Sequence, residues 1–179
     1  MMPDLSALHR RIGAIHALDN GDIAAVWISH DPQNDIVTVY DAFTFQGQSR
    51  SNVLPVVVEG LKARGQFPIA WAQEEMADEL RKRGVFLIPE KVSTNETLAN
   101  IQLNTMRTRY LTGRLKVKRD LQNWVAQYNT FKQSKDGKIN PDDHPLMTAT
   151  RYAVVSLLYA RAPANTQRHE PIYRRIATV

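Results

Sequence analysis

The chain has 179 residues, 43% hydrophobic and 23% charged, which is the composition of one soluble globular domain and excludes disorder over its whole length. It has no Cys, so a disulfide frame, a thiolate zinc site and a cysteine nucleophile are excluded. Twenty-three Lys and Arg against 18 Asp and Glu give a net charge of +5, which favours a polyanionic partner; no apolar run is long enough to span a membrane.

Residues 1–13 read as an N-terminal segment without signal-peptide character, residues 14–162 as the folded domain, and residues 163–179 as a loosely ordered tail. A strand over 14–19 leads into Asp19-Asn20-Gly21-Asp22, where Asn-Gly supplies the positive φ angles of a two-residue type I′ hairpin turn. A second strand covers 23–29. A turn cluster follows at 30–35, then a β-branched and aromatic third strand at 36–45. These three strands make an antiparallel meander.

The period then becomes helical. Residues 51–64 carry Val53, Val57 and Leu61 on one side, with Pro55 in the first turn and Gly65 as the stop. A short buried strand at 67–72 precedes a helix at 73–83, and residues 85–89 read as another strand. Ser93-Thr-Asn-Glu96 is a capping box opening a helix to about residue 111. Residues 115–118 form a small strand or hairpin, Asp120 caps a helix to about 131, and a polar loop covers 134–145. A last apolar helix runs from 146 to about 160, with Tyr152, Val155, Leu158 and Tyr159 as its core stripe; Trp27, Trp71 and Trp124 belong to the core. Strands alternating with helices imply parallel crossovers. The expected fold is α/β: an RNase H-like mixed β-sheet, a three-strand antiparallel meander continued by parallel strands and flanked by helices.

Three acidic positions stand at the ends of these elements: Asp19 after the first strand, Glu74-Glu75 after the buried strand ending in Ala-Trp-Ala, and Asp142-Asp143-His144 before the last helix. Each has an ordinary structural reading, as turn polarity, as acids meeting a helix dipole, and as a helix cap. Together they can converge at one edge of the sheet. Hard carboxylate oxygens at one point are what a pair of divalent ions requires for phosphodiester hydrolysis. His144 alone reads as a surface turn residue and Asp22 as turn polarity. Arg81-Lys82-Arg83, Arg114, Lys116, Lys118, Arg119 and the cationic run at 132–138 can contact phosphates without sequence preference, with Lys116 and Lys118 sharing one face.

These residues and their surroundings resemble the nuclease domain of the large terminase subunit of tailed bacteriophages, an RNase H-like domain that cuts concatemeric viral DNA during packaging. The resemblance runs from about residue 14 to 160. It is carried by Leu18-Asp-Asn-Gly21 with Ala24-Ala-Val-Trp27, Ile36-Val-Thr-Val-Tyr-Asp41, Ile69-Ala-Trp71, Thr112-Gly-Arg-Leu-Lys-Val117, and Asp142-Asp-His through Ala149-Thr-Arg-Tyr-Ala153.

The resemblance implies a metal-dependent DNA endonuclease in which Asp19, Glu74 and Asp143 are catalytic. They would hold two Mg²⁺ or Mn²⁺ ions, with Asp142 the alternate third ligand and Glu75 the alternate second. Three departures bear on that geometry: the segment from Asp19 to Ala24 is short, Glu74 stands where the family has Asp, and the loop after Trp71 is brief, which is why Glu75 is the alternate. It also implies double-stranded DNA, an ATPase domain or subunit, the small terminase subunit and the portal as partners, in the host cytoplasm, with no membrane. None of the eight Gly precedes Lys-Ser or Lys-Thr, so the chain reads as the nuclease half alone and should hydrolyse no ATP. The rival readings are a non-catalytic module of the same fold that docks DNA or packaging machinery, and another RNase H-like nuclease, a resolvase or a ribonuclease.

Overall fold

The segments whose apolar residues demand burial form the sheet. In the computed structural model, which describes residues 8–47, 49–131 and 139–163, β1 (Arg10–Ala17), β2 (Ile23–Asp31) and β3 (Ile36–Phe45) make the antiparallel meander. β4 (Ile69–Ala70) lies parallel to β1 and β5 (Leu115–Val117) parallel to β3, so the order is β4-β1-β2-β3-β5. The mixed sheet expected from the sequence is present. The cationic run at 132–138 and all of the expected tail after Pro163 lie outside the described residues.

Among the described residues five α-helices flank the sheet: α1 (Arg50–Ala63), α2 (Glu74–Lys82), α3 (Glu96–Leu111), α4 (Gln122–Thr130) and α5 (Pro145–Val155). α5 is buried from Pro145 through Ala153 and packs against β1 and β2, with α3 and α4 alongside it. The helix is covered on every side, its polar Thr148, Thr150 and Arg151 included, and it supplies the molecule's centre. Trp27, Trp71 and Trp124 are all core residues, at 0%, 3% and 0% exposure.

Several elements differ from the sequence expectation, each for a local reason. β1 begins at Arg10 because the Arg11 guanidinium lies over the Tyr40 and Phe67 rings, which lets a charged residue occupy a strand. The first hairpin has a three-residue loop, closed by Leu18 N–H donating to the Asp22 carbonyl at 2.9 Å, and only Gly21 takes a positive φ (93°). That pattern replaces type I′, because Asn20 spends its side-chain oxygen on the Asp22 N–H at 2.9 Å. Asp22 is more than turn polarity, since its Oδ1 accepts the Gly47 N–H at 3.1 Å and ties the end of β3 to the turn.

α1 starts at Arg50, which puts Pro55 inside the helix. Residues 85–89 supply only a single bridge, Leu87 to Ile69, with Pro68 and Pro89 limiting its extension. α3 is capped by Asn95, whose Oδ1 accepts the Leu98 N–H at 3.0 Å, while Ser93 Oγ accepts the Asn95 N–H. β5 is a parallel edge strand and not part of a hairpin, because α3 carries the chain back across the sheet. Leu121, not Asp120, is the N-cap position of α4, and Asp120 pairs with Lys118 instead. α5 ends at Val155 and a 3₁₀ turn, Leu157–Tyr159, follows; this turns Val155 and Leu158 to solvent, so only Tyr152 of the expected stripe is fully buried.

Candidate functional site

β1 is apolar along its inner residues until His16, which is 3% exposed and so must have hydrogen-bond partners. It has three. Nε2 lies 2.8 Å from Asp142 Oδ1, and Nδ1 lies 3.1 Å from Gln73 Nε2 and 3.3 Å from the Tyr152 hydroxyl. The Gln73 amide and the Tyr152 hydroxyl can both donate, so the network assigns the proton to Nε2, where it is donated to Asp142. Burial pushes the His16 pKa down, against the upward pull of Asp142 and Asp19, and the ring is neutral.

Asp142 closes the arrangement. Its second oxygen, Oδ2, accepts the Asp19 backbone N–H at 2.9 Å, so one carboxylate bridges the end of β1 and the hairpin loop that follows it. The loop that carries it is held in turn, with Asn140 Oδ1 accepting the Asp142 N–H and the Thr148 hydroxyl donating to the Pro141 carbonyl. α2 enters through Gln73, its N-cap residue, whose amide also donates to the Ala17 carbonyl at 3.4 Å. The end of β1, the start of α2 and the approach to α5 therefore meet at His16.

Four of the five acids singled out in the sequence have different surroundings there, and the fifth, Glu75, is exposed on the first turn of α2. The Asp19 and Asp143 side chains are exposed, and no hydrogen bond engages either carboxylate among the described residues. Asp142 is half-buried and committed to His16 and Asp19. Glu74 is exposed and pairs with Lys91 Nζ at 3.1 Å. Among the described residues no group of three or more His, Asp or Glu side chains stands close enough to hold an ion. Gln73 Oε1 is buried beside the cluster without a partner among those residues.

The four expected DNA-contacting cations lie elsewhere. Lys116 is on β5, opposite Thr38 of β3, and Arg119 is exposed just beyond it. Lys118 is paired with Asp120 at 2.9 Å, and Arg114 lies 3.9 Å from Asp35. β3 meets the acid-bearing end of the sheet at Phe45, seven residues further on and so about 23 Å along the strand. The basic edge and the acids stand at opposite ends of the sheet. Among the described residues Lys91 is a cation beside the acids, paired with Glu74, and no spacing pattern in the sequence marks it. His16, Gln73 and Tyr152 were equally hidden, the one available signal being a His within an otherwise apolar strand end.

No protein-family model matches the chain, and no curated protein matches it. Solved structures do. The large terminase nuclease domain of bacteriophage P22 matches with a TM-score of 0.73 at 17% identity, over 88% of this chain and 86% of that one. The fold is that of the phage large-terminase nuclease domain. The SPP1 large terminase nuclease domain, solved with bound Mn, matches this RNase H-like terminase fold with a TM-score of 0.57 at 13% identity, over 87% of this chain and 92% of that one. The large terminase from a thermophilic bacteriophage matches with a TM-score of 0.62 at 14% identity over 84% of this chain. The chain spans only 40% of that longer protein.

Proposed function

We propose that this chain is a metal-dependent endonuclease domain of a viral DNA-packaging terminase, cutting concatemeric double-stranded DNA. The observation that carries the reading is the coincidence of two independent facts. The terminase-nuclease fold extends over 88% of the chain, and the acids picked out by sequence lie at the end of β1, the start of α2 and the approach to α5, which Gln73, His16 and Asp142 tie together. The SPP1 domain with bound Mn, and a G20c phage terminase nuclease with bound zinc, support a divalent ion as the cofactor.

The donor chemistry fits such ions. Asp19, Asp143 and Glu74 offer hard carboxylate oxygens, and the Lys91 pairing of Glu74 is an exposed contact worth under about 1 kcal/mol, easily exchanged for a cation. Asp19, Glu74 and Asp143, which stand apart in this structure, would have to draw together to hold two Mg²⁺ or Mn²⁺ ions, with Asp142 and Glu75 as the neighbouring alternates. Bound there, the ions supply an activated water and a counter-charge for the phosphate. His16 fixes Asp142, and Asp142 fixes the Asp19 backbone, so the turn bearing the first acid is positioned before any ion arrives. Lys91 and the distant edge cations Arg114, Lys116, Lys118 and Arg119 would hold the duplex by its phosphates, without base preference.

The packaging ATPase, as domain or separate subunit, the small terminase subunit and the portal are the proposed partners, in the host cytoplasm. None of the described helices is long and apolar enough to cross a membrane.

The test is plasmid cleavage with Mn²⁺, Mg²⁺ or EDTA, comparing the native chain with Asp19→Ala. Metal-dependent nicking or linearisation that the variant loses is the expected result. No cleavage by folded protein with any metal, alone or joined to its ATPase, would leave the non-catalytic docking module; a strong preference for branched DNA or RNA would favour the resolvase or ribonuclease reading.

A further inference from the structure

Among the described residues Arg151 is a charge without a counter-charge. It is 3% exposed, in the middle of the core helix α5, and no carboxylate pairs with it among the described residues. Nη1 donates to the Ser93 carbonyl at 3.2 Å and to Gln102 Oε1 at 2.6 Å, and the guanidinium lies 4.7 Å from the Tyr152 ring centroid. Neutral acceptors satisfy hydrogen bonds but leave the charge buried and uncompensated, which is costly. Burial accordingly pushes the Arg151 pKa down from its ordinary value.

That side chain lines a cavity of about 400 Å³ between the first turns of α3, the loop 139–141 and α5. Leu103, Ile139 and Ala99 give it an apolar wall, while Thr148, Arg151 and the start of α3 give it a polar one; Glu96 is an exposed carboxylate at its rim. The volume is far larger than an inorganic phosphate needs and falls in the range of small-ligand sites. An apolar wall with an arginine among the lining residues suits a ligand with an organic body and one anionic end. The cavity also backs onto the cluster at His16, since Tyr152 and Pro141 line it and Tyr152 reaches His16 from the same helix.

We propose that this cavity is a nucleotide-phosphate site, in which Arg151 receives the terminal phosphate of a nucleotide and the apolar wall receives its sugar and base. The nucleotide is either free or the 5′-terminal residue of a DNA strand. The site does not depend on the cleavage reading, because it uses none of the acids assigned there.

The experiment is thermal denaturation of the full chain in EDTA at fixed ionic strength, with four probes: dAMP, inorganic phosphate, a DNA hairpin duplex carrying a 5′-phosphate, and the same hairpin with a 5′-hydroxyl. A nucleotide phosphate at a hundredfold excess over its Kd should raise the melting temperature by roughly 5–10 °C. Arg151→Lys, which keeps the charge and loses the fork, should weaken binding at least tenfold. Ala99→Phe, at a half-exposed helix position, should fill the cavity and abolish the shift while Arg151 stays in place.

A response to the 5′-phosphorylated hairpin that exceeds its 5′-hydroxyl twin tenfold identifies a DNA end. A response to dAMP without that difference identifies a free nucleotide. A shift with inorganic phosphate alone, a shift that survives Ala99→Phe, or no shift with any probe overturns the proposal. EDTA suppresses metal-dependent cleavage, so failure here and failure of the nuclease reading are separate results.

Discussion

His16 and Asp142 are separated by 126 positions in the chain and by 2.8 Å in the fold. Their contact joins the C-terminal end of β1 to the loop before α5, and the same carboxylate holds the Asp19 N–H. The acid that follows β1 is therefore held, through its backbone N–H, by the acid that precedes α5.

That relationship separates the two adjacent acids. Asp142→Ala leaves the buried His16 N–H without its acceptor and should destabilise the fold by about 2 kcal/mol. Asp143→Ala removes an exposed side chain and should change stability by less than about 0.5 kcal/mol, yet lower metal-dependent cleavage at least ~100-fold. Urea denaturation alongside plasmid cleavage reads both. If Asp142→Ala alone loses activity and Asp143→Ala retains it, the third ligand is Asp142.

His16 should act on cleavage through Asp142. His16→Ala is expected to cost about 2–3 kcal/mol in stability, because Gln73 and Tyr152 lose their common acceptor as well. Cleavage by the folded variant should fall roughly 10–100-fold, with the Mn²⁺ midpoint shifted upward. An unchanged Mn²⁺ midpoint in the folded variant would limit His16 to a structural role.

Tyr40 offers an alkaline probe of the other part of the sheet. Its hydroxyl is buried without a partner among the described residues, beside Arg11, and burial pushes its pKa up to about 12. The raised value keeps the phenol neutral in the fold, so its contribution is intact below pH 10 and is lost as pH rises from 10 to 12, on the order of 2–3 kcal/mol in all. Tyr40→Phe should be neutral or stabilising by up to ~1 kcal/mol at pH 7 and should flatten that alkaline loss. Stability curves between pH 8 and 12, with tyrosinate absorbance, check both.

Asp35 combines backbone and charge. Its φ is 52°, the single positive value outside glycine among the described residues, and its carboxylate accepts from Arg109 at 3.0 Å and His30 at 3.1 Å. Partial desolvation raises its pKa, but those two donors outweigh it and hold the carboxyl below its ordinary value. Stability from this group is present at neutral pH and lost as pH falls below about 4. The side chain is 44% exposed, so the effect is small. Asp35→Asn should keep the left-handed backbone and lose the acid-sensitive part, whereas Asp35→Ala should lose both, by about 1 kcal/mol more. Equal stability of the two variants at pH 7 would rule out a backbone contribution.

Local chemistry was enough for the meander, the helices and the glycine stops, because alternation of period two and period 3.6 belongs to the strand or helix that shows it. β3 was readable at both ends for that reason, and so was the place of Asp19, which needs only a strand and a turn. Asn-Gly revealed the turn but not its type, since an asparagine that bonds its own neighbour's backbone competes with the type I′ geometry. The partners of β4 and β5 depend on where α5 and α3 pack, and short apolar segments do not encode their neighbours. His16 marks the boundary between the two kinds of knowledge. In the sequence it is one polar residue in an apolar strand, and burial obliges it to find partners. Which partners it found, from a helix 57 residues away and a loop 126 residues away, is decided by packing alone.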